Sequence, residues 1–379
     1  MPLVAEANCD LENYLRYPDH ALDQRLAELR GQLGARALIL GHHYQRDEVI
    51  RFADYRGDSL RLSQRCREHP EAEFIIFCGV HFMAESADIL RAPHQQVILP
   101  DLNAGCSMAD MAEFPQLQDC WSQLQSLGLE QRFLPLTYMN STAAIKAFCG
   151  REGGLVCTSS NAPAAFRWAF ERRPGVLFVP DQHLGRNTGV KVGLKLEEML
   201  VWNPRQRWGG NTPEQLATAR VLLWQGHCSV HQRFRVEHVA QWREKVPGIR
   251  ILVHPECCHE VVAAADLVGS TDYILRQVAQ APAGTRWAIG TELHLVHRIA
   301  KEFPEQWIAP LDNDGCPVCS TMFRISPQHL AWVLDNLTQG RVVNRILVNE
   351  RAKHWARVAL DRMLELGTSP AAAPAGGGQ

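Results

Sequence analysis

LILGHHYQRDEV (residues 38–49), LPLTYMNSTAAI (134–145) and ILVHPECCHEVV (251–262) decide how this chain folds. Each is a short apolar strand that ends in polar residues and runs into a helical stretch. Outward from each, three further landmarks follow in the same order. A small-residue turn opens a helix in RGDSLRLS (56–63), CTSSNAPAA (157–165) and VGSTDYILR (268–276). Another strand and turn read FIIFCGVHF (74–82), VLFVPDQHL (176–184) and RWAIGTELH (286–294). A last strand leads to a cysteine in VILPDLNAGCS (97–107), RVLLWQGHCS (220–229) and WIAPLDNDGCPVCS (307–320). Strands alternating with helices are the pattern of parallel sheets.

The spacing supports a threefold repeat. His42 precedes Cys106 by 64 residues and His254 precedes Cys319 by 65. Tyr138 precedes Cys228 by 90, a surplus of 26 over the first, and the Gly/Asn/Trp-rich stretch 185–213 reads as an insertion. Any α/β protein has βαβα regularity, but matched order with matched cysteine positions is harder to reach by chance. The expected fold is therefore α/β: three similar three-layer αβα units with parallel sheets around a pseudo-threefold axis, with the active site at the centre. The units are expected at 35–112, 113–234 and 235–366, the last with closing helices. A helical extension is expected at 1–34 and a disordered Gly/Pro/Ala-rich tail at 367–379.

Each repeat ends in Cys-Ser: Cys106, Cys228 and Cys319. Strand carboxyl ends are where α/β enzymes place their sites, so three such ends around one axis bring three thiols together. Soft sulfur ligands suit an iron–sulfur centre. Three ligands for a four-iron cube leave one iron open to act as a Lewis acid. Cys316 and Cys319 also form a C-x-x-C, which alone suggests half a zinc site or a redox pair, but the repeat spacing selects Cys319. Cys257 and Cys258 fall beside the site and not among the ligands.

The strand ends supply polar pairs two apart: His42 and Tyr44, Tyr138 and Asn140, His254 and Glu256. On a strand, i and i+2 share a face, so each pair is expected to point toward the axis. Ser59, Ser159 and the Ser270–Thr271 pair stand at predicted helix N-termini. Each could serve only as an N-cap; together they make seats for carboxylates or a phosphate. His231, three after Cys228, is placed within reach of the pocket or on the helix surface. Glu256 is the candidate general base.

Twelve cysteines, a net charge of −2, 46% hydrophobic and 21% charged residues describe an ordinary globular chain. The charge offers nothing to nucleic acid or an anionic membrane. MPLVAEANCDLENYLRY lacks the basic start and apolar run of a signal peptide, and no apolar run is long enough for a membrane span. A cytoplasmic location is expected, where disulfide frameworks are rare.

The motifs GHHYQRDEV, ADYRGDSLRLS, FCGVHFMAESADIL, AGCSMAD, TYMNSTAAIKA, CTSSNA, GHCSVH, HPEC, GSTDYI and GTE, in this order over about residues 35–360, resemble the quinolinate synthase family. The resemblance implies a [4Fe–4S] cluster on Cys106, Cys228 and Cys319. It implies substrate contacts from His42, Ser59, Tyr138, Asn140, Ser159, His254, Glu256 and Thr271, with Tyr44 and His231 also in the chemistry. The implied reaction condenses iminoaspartate (iminosuccinate) with dihydroxyacetone phosphate to quinolinate, losing phosphate and water, in de novo NAD biosynthesis. An L-aspartate oxidase or dehydrogenase is the implied supplier of iminoaspartate. The chain departs from the family where His43 replaces a more usual Asn. It departs again where Cys319 precedes Ser-Thr-Met and the family often has Pro-x-Met, so on the family pattern Cys316 and Cys319 both stay candidates. The competing functions are another iron–sulfur hydro-lyase on a small acid, an iron–sulfur redox sensor, and a zinc hydrolase.

Overall fold

The computed structural model describes residues 8–368. It contains three sheets, each built on the same plan. The first holds β1 (Ala37–His42), β2 (Tyr55–Gly57), β3 (Phe74–Cys78) and β4 (Gln96–Ile98). The second holds β5 (Phe133–Tyr138), β6 (Leu155–Cys157), β7 (Gly175–Val179), β8 (Met199–Trp202) and β9 (Val221–Trp224). The third holds β10 (Arg250–Val253), β11 (Leu267–Val268), β12 (Arg286–Gly290) and β13 (Trp307–Pro310). Spatial orders are β2-β1-β3-β4, β6-β5-β7-β9 and β11-β10-β12-β13, all parallel. Four landmarks in the order second, first, third, fourth thus recur three times. The first and third strands carry their crossovers to opposite sides, which opens a crevice at their carboxyl ends.

Helices cover the sheets, so central strands are apolar on both faces. FIIFC, FLPLTY and GVLFV are buried at every position, as parallel strands between helix layers require.

Two expectations change. The insertion does not begin at Gly185: that residue lies inside the helix Gln182–Lys191, the counterpart of His81–Leu90 and Leu293–Glu302. Gly185 and Gly189 weaken the helical pattern, yet close packing requires them. A Cβ on Gly185 would stand 2.6 Å from Leu223 and Phe178, and one on Gly189 2.3 Å from Met199 Sδ. The extra residues follow this helix and add β8, which extends the second sheet alongside β9.

The closing elements do not complete the third unit. The helix Pro327–Thr338 packs on the N-terminal helices Asn8–Leu15 and Asp23–Leu33. A short strand β14 (Arg345–Ile346) joins the first sheet antiparallel to β4. The last helix, Glu350–Thr368, lies along Ala143–Arg151 and β6 of the second unit. It approaches so closely that a Cβ on Gly150 would meet the Trp355 carbonyl oxygen at 2.0 Å. The tail expected from 367 lies outside the described residues after Thr368, which ends that helix. Among the described residues no helix is long and apolar enough to cross a membrane.

Candidate active site

One cavity collects strand ends from all three sheets. Its lining includes His42, Tyr44, Tyr138, Asn140, His254 and Glu256, the hydroxyls of Ser59, Ser159 and Thr271, and the thiols of Cys106, Cys228 and Cys319. About 760 Å³ among these residues, open solvent included, is free of protein atoms. Of the predicted residues only His231 is not in the lining. It lies one layer behind and is hydrogen-bonded to Glu256.

The polar pairs converge for a different reason than strand alternation. β1, β5 and β10 end at His42, Tyr138 and Val253, so Tyr44, Asn140 and Glu256 belong to the turns that follow. Two of these turns are made alike. The Tyr44 amide donates to His42 Nδ1 at 3.1 Å, and the Glu256 amide donates to His254 Nδ1 at 3.3 Å. An N–H donor fixes Nδ1 as the acceptor, so in the neutral ring Nε2 carries the proton. Burial lowers both imidazoles to about 3, which leaves two neutral N–H donors at neutral pH.

The turns are clamped cyclically between units. Glu85 of the first unit accepts from the Ala143 amide after β5, at 2.9 Å. Asn187 of the second donates to the Pro255 and Cys257 carbonyls after β10, both at 2.9 Å. Buried Arg298 of the third donates to the His43 and Gln45 carbonyls after β1 and to Asp47 Oδ1 at 3.0 Å. In each case the helix after the third strand of one unit holds the first-strand turn of the next.

The three hydroxyls are not spent as caps. Asp58 caps the helix Ser59–Glu68 by accepting from the Arg61 amide, and Ser270 caps Thr271–Ala279 by accepting from Tyr273. In the second unit Asn161 Oδ1 accepts from the Thr158 amide. Ser59 and Thr271 are the first residues of their helices, and Ser159 lies in the turn before Ala162–Phe170. All three hydroxyls border the cavity at helix starts, where backbone dipoles favour anions.

Each cysteine opens one helical turn: the amides of Asp110, Gln232 and Phe323 donate to the carbonyls of Cys106, Cys228 and Cys319 at 3.0 Å. Burial pushes the Cys106 thiol up to about 12 and also raises Cys228 and Cys319, and Cys228 feels the charge of both others. All three are free thiols. Cys316 is exposed and off the cavity. Cys257 is buried, with its thiol toward the Gly290 carbonyl, and Cys258 is half-buried outside the lining.

A profile of the quinolinate synthetase A protein (NadA) family matches residues 24–365. The chain belongs to this family. A quinolinate synthase of Acidobacterium capsulatum is 60% identical over 367 residues, covering 96% of this chain and 98% of its own length. Quinolinate synthases of a Nocardioides species and of Streptomyces coelicolor are 56% and 54% identical, each over 92% of this chain and 90% and 89% of their own lengths. The NadA match runs from the second N-terminal helix to the last helix, so it includes every residue of the cavity lining.

In this NadA chain the polar groups form one connected network across units. Tyr138 Oη donates to Glu256 Oε1 at 2.6 Å. Glu256 Oε2 is 2.9 Å from His231 Nδ1, and His231 Nε2 is 3.2 Å from Thr291 Oγ1. Thr291 Oγ1 is 3.0 Å from Tyr44 Oη, which is 3.3 Å from Thr271 Oγ1. The His231 and His254 rings stack with centroids 4.6 Å apart. Burial alone would raise the Glu256 carboxyl, but His231, His254 and the bonds from His231 and Tyr138 hold it below the usual carboxylate range. It is ionised and able to accept a proton. Burial, and then the Glu256 charge, push the Tyr44 and Tyr138 phenols up, so both remain donors.

Thr291 was not singled out in the sequence, although GTE is part of a repeat landmark. Glu292 was missed too. It caps Leu293–Glu302 and accepts from the Cys319 amide at 3.3 Å. Asp181, at the matching place in the second unit, caps Gln182–Lys191 and pairs in a bridge with Gly226, two residues before Cys228.

Proposed function

We propose that this chain condenses iminoaspartate (iminosuccinate) with dihydroxyacetone phosphate to quinolinate, with loss of phosphate and water, as a cytoplasmic step of de novo NAD biosynthesis. We further propose that Cys106, Cys228 and Cys319 hold a [4Fe–4S] cluster. Supply of iminoaspartate by an L-aspartate oxidase or dehydrogenase belongs to the same reading. The observation that carries it is one cavity, in a NadA family member, that gathers three thiols, three helix-start hydroxyls and an ionised carboxylate from three sheets.

The donor set fits such a cluster. Three half-buried thiols stand free, and loss of solvent around the sulfurs keeps their protons on unless a metal replaces them. A single tetrahedral ion would need its sulfurs about 3.8 Å apart. Among the described residues the three thiols do not form a group within 4.8 Å of one another, so a multi-iron centre suits them better than one ion. When bound, the cluster supplies a Lewis-acidic iron without a protein ligand.

The chain's own residues do the rest. Both substrates carry anionic groups, and Ser59, Ser159 and Thr271 bind them with hydroxyls at helix starts. His42 and His254 donate Nε2–H to substrate oxygen without adding charge. Glu256 takes the proton released in the imine–enamine step, and Tyr44 Oη gives one to the departing oxygen. Asn140 orients the bound acid, and enclosure of both substrates contributes proximity.

The test is anaerobic incubation of reconstituted protein with iminoaspartate and dihydroxyacetone phosphate. Quinolinate is expected from wild type. Glu256→Gln should keep the visible absorption of the cluster and lose at least about a hundredfold in turnover. Absence of quinolinate from a fully loaded wild-type enzyme would refute the function.

A further inference from the structure

Among the described residues, one set of His, Cys, Asp or Glu side chains brings its ligating atoms within 4.8 Å of one another: Cys228, His231 and Glu256. This set is not the three-thiol site. It offers one sulfur, one imidazole nitrogen and one carboxylate oxygen, the donors that zinc-class ions accept. His231 and Glu256 are buried at 1% and 3% exposure, while half-buried Cys228 lines the cavity.

The surroundings of the trio are those of a metal site. Ligating histidines donate their second N–H to a fixed acceptor, and ligating carboxylates are hydrogen-bonded in turn. Here His231 Nε2 has Thr291 Oγ1 at 3.2 Å, and Glu256 Oε1 accepts from Tyr138 Oη at 2.6 Å. Both outer partners leave the inner atoms, Nδ1 and Oε2, facing each other at 2.9 Å. A single proton bridges these two atoms, and a metal ion can take its place. Metal bonds of about 2.0–2.3 Å set tetrahedral ligand atoms roughly 3.3–3.7 Å apart, so a trio within 4.8 Å has only a short way to close, and the cavity offers the fourth position.

We infer that, in chains without the iron–sulfur cluster, Cys228, His231 and Glu256 close on a single divalent transition-metal ion of the zinc class. The two states exclude each other, because both need Cys228. The ion also occupies the lone pair that makes Glu256 a base, so the zinc form is inactive and blocked from loading. Only this exclusion rests on the function proposed above; the ion site itself does not.

The test uses the full-length, cluster-free chain titrated anaerobically with Co²⁺ and then displaced with Zn²⁺. One cobalt per chain is expected, with sulfur-to-cobalt charge transfer and tetrahedral d–d bands. Cys228→Ser, His231→Gln and Glu256→Gln should each weaken binding by more than the ~10–100-fold that loss of an outer partner costs. Cys106→Ala and Cys319→Ala should bind as wild type. Thermal melting checks that each variant is folded, and two of the three ligand variants suffice. Binding lost equally in Cys106→Ala or Cys319→Ala would put the ion on the three thiols and overturn the inference. So would wild-type binding in folded His231→Gln and Glu256→Gln, or no binding at all. Zinc-loaded chain should take up no iron and sulfide until the zinc is chelated, and full uptake with zinc retained would contradict the shared Cys228. None of these readouts depends on quinolinate, so failure of the proposed reaction would leave them intact.

Discussion

At Thr291 a single buried hydroxyl stands 3.2 Å from His231 Nε2 and 3.0 Å from Tyr44 Oη. It connects the carboxylate side of the cavity, through His231, to the phenol on the other side. Thr291 lies outside the lining, holds Tyr44 and His231 from behind, and acts as a positioning residue. Thr291→Val keeps its shape and removes the hydroxyl. The expected result is a kcat lower by about tenfold or more with KM and cluster absorption unchanged, and recovery in Thr291→Ser. A valine variant with wild-type kcat would remove Thr291 from the network. The buried imidazoles give a second expectation. His42 and His254 are held at about 3 against an ordinary 6.5. Both are neutral in the fold and become charged on unfolding, so stability is complete above pH 6.5 and falls as pH drops from 6.5 toward 3. Cluster-free His254→Gln should show a shallower loss of stability than wild type over this range, and an equal slope would contradict the assignment. At this scale much of the site was legible. Repeat alignment located all twelve lining residues quoted above, as three pairs, three hydroxyl seats and three cysteines. Thr291 was hidden because a single hydroxyl after a strand carries no signal of its own, and its value comes only from neighbours contributed by other units.

The elements show why the turns keep their geometry. A helix of each unit holds the first-strand turn of the next, through Glu85, Asn187 and Arg298. Asn187→Ala would leave the Pro255 and Cys257 carbonyls without their amide donor in a buried setting, at a cost of about 1–3 kcal/mol. It should lower the melting temperature and reduce turnover together, because the freed turn carries Glu256. Asn187→Ala with unchanged melting and kcat would show that the clamp is idle. The succession of strands and helices along the chain was legible at this scale because four landmarks recur, whereas their order within each sheet came only from the folded chain. The helix Gln182–Lys191 was not, since its two glycines serve contacts with Leu223, Phe178 and Met199 that only the folded chain reveals. The closing helices have no repeat partner, so nothing in the periodicity assigned them to the first and second units.

Across the whole molecule, three sheets act as one enzyme because none of them owns a complete site. The thiols come one from each repeat, and the network from Tyr138 to Tyr44 draws on all three. On the function proposed above, these three cysteines jointly hold one four-iron cluster. That assignment is tested most directly by counting iron and sulfide in anaerobically reconstituted chain, in wild type and in the Cys316→Ala and Cys319→Ala variants. Four irons and four sulfides per chain are predicted for wild type and for Cys316→Ala, whose thiol is exposed and off the cavity, and loss of the cluster is predicted for Cys319→Ala. A cluster retained in Cys319→Ala and lost in Cys316→Ala, or a single metal ion per wild-type chain, would contradict it.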